Sequence, residues 1–159
     1  MSGIDASDLL HRIIRPALSS LALDGPDADA LLLATAAQES GLGARLAQAS
    51  GPALGVWQME PATHDDIIGN FVASRLSLRR ALGTFKAPGL KGAEQMAGNL
   101  YYACALARLQ YARAPGALPK WNDADGQAAY WKAHYNTASG AGTIDEFLAN
   151  RKSILGALP

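Results

Sequence analysis

One cysteine, Cys104, is present in 159 residues, so an internal disulfide is excluded and the fold must rest on packing. A lone thiol also fits a reducing compartment. Charged residues are scarce at 18%, against 49% hydrophobic, a balance that excludes a disordered chain or a solvated tail. Long hydrophobic runs are missing: the longest, Ala28 to Ala37, is interrupted by Asp29 and Thr35, so no stable membrane insertion is expected. The opening stretch MSGIDASDLLHRIIRP carries early acids and no unbroken apolar region before a cleavage site, so no secretory signal is predicted and the chain is expected to fold in a cytoplasm. Strand-like alternation never lasts beyond a few residues, and there is no internal repeat, low-complexity tract or linker. The expectation is one compact domain over residues 1–159, mainly α-helical with little or no sheet.

Several chemistries lack their residues. His11, His64 and His134 are scattered without a second ligand at metal spacing, so no metal site is expected, and His64-Asp65-Asp66 reads as surface polarity at a helix start. No phosphate-cradling glycine loop is present, and no cofactor is implied. Cys104 sits in a helical apolar pattern and reads as a small core residue, with nothing nearby to activate it as a nucleophile paired with His134.

What is present is helical periodicity, with apolar residues recurring at three and four. A first helix is predicted from Ser7 or Asp8, carrying Leu9, Ile13 and Ile14, kinked or split by Pro16. Asp24-Gly25-Pro26 announces a second, running to about Ser40 and stopped by Gly41. Loop and short turns follow from Gly41 to Gly55. Pro61 opens a helix through Ile67 and Ile68, weakened at Gly69 or Asn70, and a short one covers Leu76 to Leu82. The longest helix is predicted from about Glu94 to Ala112, with Met96, Leu100, Cys104 and Ala107 as its buried stripe. Asp123 to Tyr135 forms another, packing Tyr130 and Trp131. The capping box Thr143-Ile144-Asp145-Glu146 starts the last, ahead of Phe147, Ile154 and Leu155.

The net charge of zero conceals an uneven spread. Residues 1–70 hold three bases against nine acids, net −6, and the remainder eleven bases against five acids, net +6. The basic residues Arg75, Arg79, Arg80, Lys86 and Lys91 have no acid among them. This run reads first as a solvated helix face; an anionic polymer is the alternative, and without interleaved aromatics no nucleic-acid partner is expected.

The stretch from Thr35 to Asp66, TAAQESGLGARLAQASGPALGVWQMEPATHDD, concentrates the chemistry. Glu39 ends an apolar helix, three residues beyond Ala36 and seven beyond Leu32, on the face of buried neighbours. Its charge lies at the negative end of the helix dipole. Burial and dipole both disfavour ionisation, which keeps a carboxylic acid protonated near neutral pH and makes Glu39 a candidate general acid.

Three pieces, Gln38-Glu39-Ser40, Gly55-Val56-Trp57-Gln58-Met59-Glu60-Pro61 and His134-Tyr135-Asn136 before a glycine-rich turn, occur in an order and spacing that resemble the lysozyme-like superfamily, specifically the soluble lytic transglycosylases and goose-type lysozymes. In that family a Glu-Ser pair ends a buried helix, a Gly-Leu-Met-Gln turn lines the glycan cleft and a later Tyr-Asn stands opposite the acid. The resemblance implies a lysozyme-like helical fold and cleavage of the β-1,4 bond between N-acetylmuramic acid and N-acetylglucosamine in peptidoglycan, with Glu39 as acid and then base. Release of a 1,6-anhydro product needs no second carboxylate; a hydrolytic lysozyme would use one, and Glu60 stands where goose-type enzymes often carry an acid. Glu60 is better explained as the acid at a helix N-terminus, and Asp65 and Asp66 are further possibilities for a second carboxylate. The resemblance gives substrate contacts to Gln58, Tyr135 and Asn136, with local backbone capping as the alternative for Asn136. Trp57 replaces the usual methionine and either stacks on a sugar or fills the core, and Ser40, counted with the substrate-binding residues, holds the helix end beside Glu39. A wall-degrading chain without a signal implies a bacteriophage endolysin or virion component, made in the host cytoplasm, delivered to the wall and able to contact other virion proteins. The rival expectation is a glycan-binding or virion structural module without activity.

Overall fold

The computed structural model describes residues 3–136 and 140–158. Helical segments Ala6–Asp8, Leu9–Ile14 and Arg15–Ser20 follow without interruption and form α1. Pro16 neither splits nor ends it. The preceding turn widens to π-helix, with the Arg15 amide donating to the Leu10 carbonyl, so the rod passes through a residue that has no amide hydrogen to give.

Helix α2, Pro26–Ser40, lies at the centre of the molecule and is the longest α-helical segment described. Residues 28–37 are all buried, which explains why its apolar residues run around the whole helix rather than along one stripe. It ends as predicted at Gly41, which has φ 61°; the Gly41 and Leu42 amides return to the Ala37 and Ala36 carbonyls. The chain then turns through 41–58 with isolated antiparallel bridges joining Ala47 to Leu54 and Leu54 to Met59. No longer strand occurs among the described residues.

Helix α3 combines Pro61–Asp66 with a π-helical stretch, Ile67–Val72. Gly69 and Asn70 therefore do not end it; they sit inside the widened turn, where the Ala73 amide reaches the Ile68 carbonyl. Helix α4 is Leu76–Phe85, three residues longer than expected. The single helix expected over 94–112 is in fact two, α5 (Gln95–Gly98) and α6 (Leu100–Ala112). Asn99 breaks the rod in an extended conformation, with its Oδ1 accepting from the Tyr102 amide and its Nδ2 donating to the Phe85 carbonyl and to Gln95 Oε1. Helix α7 is Ala124–Trp131 continued by π-helix Lys132–Asn136, and α8, Ile144–Ser153, carries the predicted capping box. Phe147 and Ile154 are buried, but Leu155 is exposed in a closing 3-10 turn.

One cluster of buried side chains joins these helices, with α2 packed against α1, α6, α7 and α8. Cys104 lies fully buried within it, and burial holds its thiol well above the ordinary range. The mainly helical class read from the sequence is the observed one.

Candidate functional site

A cleft of about 570 Å³ opens where the C-terminal end of α2, the 54–59 turn, the start of α3 and the end of α7 converge. Glu39 is half-buried on its wall. Burial pushes its carboxyl up from 4.5 to about 7, against two opposing influences. The first is a hydrogen bond from Trp131 Nε1 to Glu39 Oε1 at 2.9 Å; the second is the guanidinium of Arg45, which also donates to the Glu39 carbonyl at 3.0 Å. Since Oε1 is taken as an acceptor, a proton on Glu39 resides on Oε2.

The backing of Glu39 is aromatic. Trp131 is fully buried and stacks on Phe147 of α8 with ring centroids 5.0 Å apart, so the indole that fixes the carboxyl has no freedom to turn. Sequence reading placed Trp131 in the core but missed its bond to Glu39. The two residues are 92 apart in sequence, and no local spacing marks where an indole N–H will point. Arg45 was also missed, and its only signal was its place in the loop directly after the acid.

The Gly55–Gln58 turn forms another wall. Gly55 has φ 78°, and a Cβ there would lie 2.2 Å from the Met96 carbonyl oxygen, so backbone angle and close approach both demand glycine. Gln58 occupies the left-handed region at φ 43°, an uncommon conformation for a residue with a side chain. Its Nε2 donates to the Gly55 carbonyl at 2.7 Å, holding the half-buried amide at the cleft. No hydrogen bond occupies its Oε1 among the described residues.

Tyr135 and Asn136 arrive from the far end of α7 and line the same cleft. The Tyr135 hydroxyl donates to the Trp57 carbonyl at 2.8 Å, so it braces the 55–58 turn and not the Glu39 carboxyl. Burial and the nearby Glu39 charge hold its phenol well above the ordinary range, which keeps it a neutral donor. Asn136 Oδ1 accepts from Lys132 Nζ at 2.7 Å, and the same ammonium reaches the Gly140 and Gly142 carbonyls at 2.9 and 2.7 Å. The glycine-rich turn expected after Asn136 lies partly outside the described residues.

Two residues expected near substrate lie elsewhere. Trp57 is 1% exposed and gives its indole N–H to the Leu32 carbonyl at 2.9 Å, so it fills the core and cannot stack on a sugar. Ser40 is likewise buried; its hydroxyl donates to the Val56 carbonyl at 2.6 Å and accepts from the Gly43 amide at 2.7 Å, tying the end of α2 to the turn instead of meeting a ligand.

Among the other carboxylates, Glu60 is exposed on this cleft at the start of α3, without a side-chain capping bond. Asp65 and Asp66 lie outside it. Asp65 bonds to His64 at 2.8 Å, and Asp66 accepts from Asn70 and Arg113, which in that order hold its carboxyl below the ordinary range. His64 is buried, not surface polarity as expected, because its second ring nitrogen meets the Tyr102 hydroxyl at 2.9 Å.

The cleft thus gathers one carboxyl that is half protonated near neutrality, a second that is solvated, an exposed cation and, in Gln58, an amide oxygen without a hydrogen bond among the described residues. Such a set can donate a proton to a leaving oxygen and hold a polar ligand beside it. Searches against protein families, curated proteins and solved structures give no match to this chain.

Proposed function

We propose that this chain cleaves peptidoglycan glycan strands at the β-1,4 bond between N-acetylmuramic acid and N-acetylglucosamine, as a lytic transglycosylase of lysozyme-like fold. The observation that carries the reading is Glu39 itself, a carboxyl raised to about 7 by burial while still facing an open cleft. Near neutral pH it divides its population between acid and base, the condition for doing both jobs in turn. The resemblance in order and spacing to lytic transglycosylases supplies the substrate class.

In the proposed reaction Glu39 Oε2–H protonates the glycosidic oxygen and the C1–O bond breaks. Positive charge grows on the muramyl ring. The ring's own 6-hydroxyl then attacks C1, and its proton returns to Glu39, so water is not consumed and the product ends in 1,6-anhydromuramic acid. Gln58 and Asn136 line the path and contact the sugar's amide and hydroxyl groups.

Glu60 on the same cleft supports a second reading, a hydrolase in which it activates water on the opposite sugar face. Mass spectrometry of digested peptidoglycan separates the two. Anhydromuramic ends are expected, with wild-type levels in Glu60→Gln and at least about a hundredfold less product in Glu39→Gln. Reducing ends that vanish in Glu60→Gln overturn the transglycosylase in favour of the hydrolase. No product from a folded wild-type protein, with glycan binding retained, overturns both and leaves a glycan-binding or virion structural module.

A further inference from the structure

A second cleft, of about 550 Å³, lies between α3 and α4, and none of its residues line the first. Its buried side chains are Val72, Leu82 and Tyr102. One wall is the π-helical stretch of α3, a widening that recurs at functional sites, and there Gly69 leaves open space where a side chain would stand. Arg79 and Lys86 line it too, both exposed, with no carboxylate in an ion pair with either among the described residues.

The surroundings extend this pattern. Arg75, Arg80 and Lys91 are also exposed, and the nearest acids along the chain are Asp66, already paired with Arg113, and Glu94. Leu76, at the start of α4, leaves 55% of its surface in water. Helix α4 packs Leu78, Ala81, Leu82 and Phe85 against the core and thus shows cations and one apolar residue, Leu76, to solvent beside a partly apolar cleft, the charged half of the pattern found in helices that lie on a membrane surface. A solvated helix face explains the cations, but not why two of them edge a cavity with an apolar floor.

We propose that this face docks on an anionic phospholipid surface, with Arg79 and Lys86 holding a headgroup phosphate and the cleft between α3 and α4 receiving the first part of an acyl chain. A polyanion would satisfy the charges but leave the apolar floor empty, and a neutral lipid would do the reverse. No described helix is long and apolar enough to cross a bilayer, so the association is peripheral. The proposal involves no residue of the Glu39 cleft and stands or falls independently of the glycosidase reading.

Sedimentation with vesicles of phosphatidylglycerol in phosphatidylcholine, and of phosphatidylcholine alone, tests it on the full chain. Binding to the anionic vesicles only is expected. The double variant Arg79→Gln/Lys86→Gln should bind roughly thirtyfold more weakly, and Lys120→Gln/Lys152→Gln, with the same change of net charge, within about threefold of wild type. Gly69→Leu fills the cleft without touching a charge and should weaken binding about tenfold, with thermal melting confirming that it folds. Equal binding by Gly69→Leu and wild type overturns the acyl-chain site and leaves surface charge alone. Equal loss in both double variants, or no vesicle binding by the wild type, overturns the proposal, and the latter together with capture of a soluble polyanion would assign the face to that polymer instead.

Discussion

At the scale of single residues the candidate site turns on how Trp131 and burial oppose each other at Glu39. Burial disfavours the carboxylate, whereas the indole N–H stabilises it, and burial wins. Removing the weaker influence should therefore raise the carboxyl further. Trp131→Phe is expected to move the alkaline limb of a wall-lysis pH profile upward by about one unit, the scale of one hydrogen bond to a charged group, and to lower the maximum rate through loss of orientation. The phenyl ring keeps part of the stack on Phe147, so the variant should fold, with a stability loss of roughly 1–3 kcal/mol. A lower melting temperature with an unmoved alkaline limb would reduce Trp131 to packing. Glu39 was legible in the sequence because its oddity is local, a carboxylate in the last turn of an apolar helix. Its partner was not, because the direction of an indole depends on how α7 and α8 meet.

Among the elements, caps and stops were readable, and interruptions were not. Gly41 and the Thr143 box combine residue types with backbone demands that hold in any context. Asn99 carries a cap too, but it sits within an apolar stripe of helical period, and only its bonds to Phe85 at the end of α4 and to Gln95 at the start of α5 make a break favourable. The three π-helical continuations, after Asp8, Asp66 and Trp131, leave no mark in the spacing of apolar residues. The Gly55–Gln58 turn allows a sharper test than any helix end. Gly55→Ala places a methyl 2.2 Å from the Met96 carbonyl oxygen and at an unfavourable φ, so α5 or the turn must move. The expected cost is about 3 kcal/mol or more, measured by urea unfolding, with loss of wall lysis because Gln58 and the Tyr135 anchor at the Trp57 carbonyl move with the turn. A variant of wild-type stability would show that the turn and α5 can part without cost.

For the molecule as a whole, the composition indicated a core held by packing, the three-and-four recurrence of apolar residues made it helical, and the charge asymmetry was visible by counting; which charges would share a surface depended on the arrangement of α3 and α4. Stability against pH connects the site to the whole fold. The Glu39 carboxyl has an ordinary value of 4.5 and a folded value of about 7, so between those limits the native state holds a proton that the unfolded chain has released. Stability from this group is therefore fully present below about pH 4.5, declines as pH rises, and is gone above about pH 7, by an amount of at most roughly 3 kcal/mol. Asp66 and Glu146 act in the opposite sense, because partners hold their carboxyls below the ordinary range, and their contributions vanish as pH falls. Both are unchanged in Glu39→Gln, so subtracting the two stability curves cancels them and isolates Glu39. The glutamine can still accept the Trp131 N–H and has no charge to bury. The variant should match wild type within about 1 kcal/mol at pH 4 and exceed it by roughly 1–3 kcal/mol at pH 8, read from urea unfolding at each pH. A difference that stays flat across that range would mean that Glu39 titrates like a solvated carboxylate, and the general-acid assignment would fail with it.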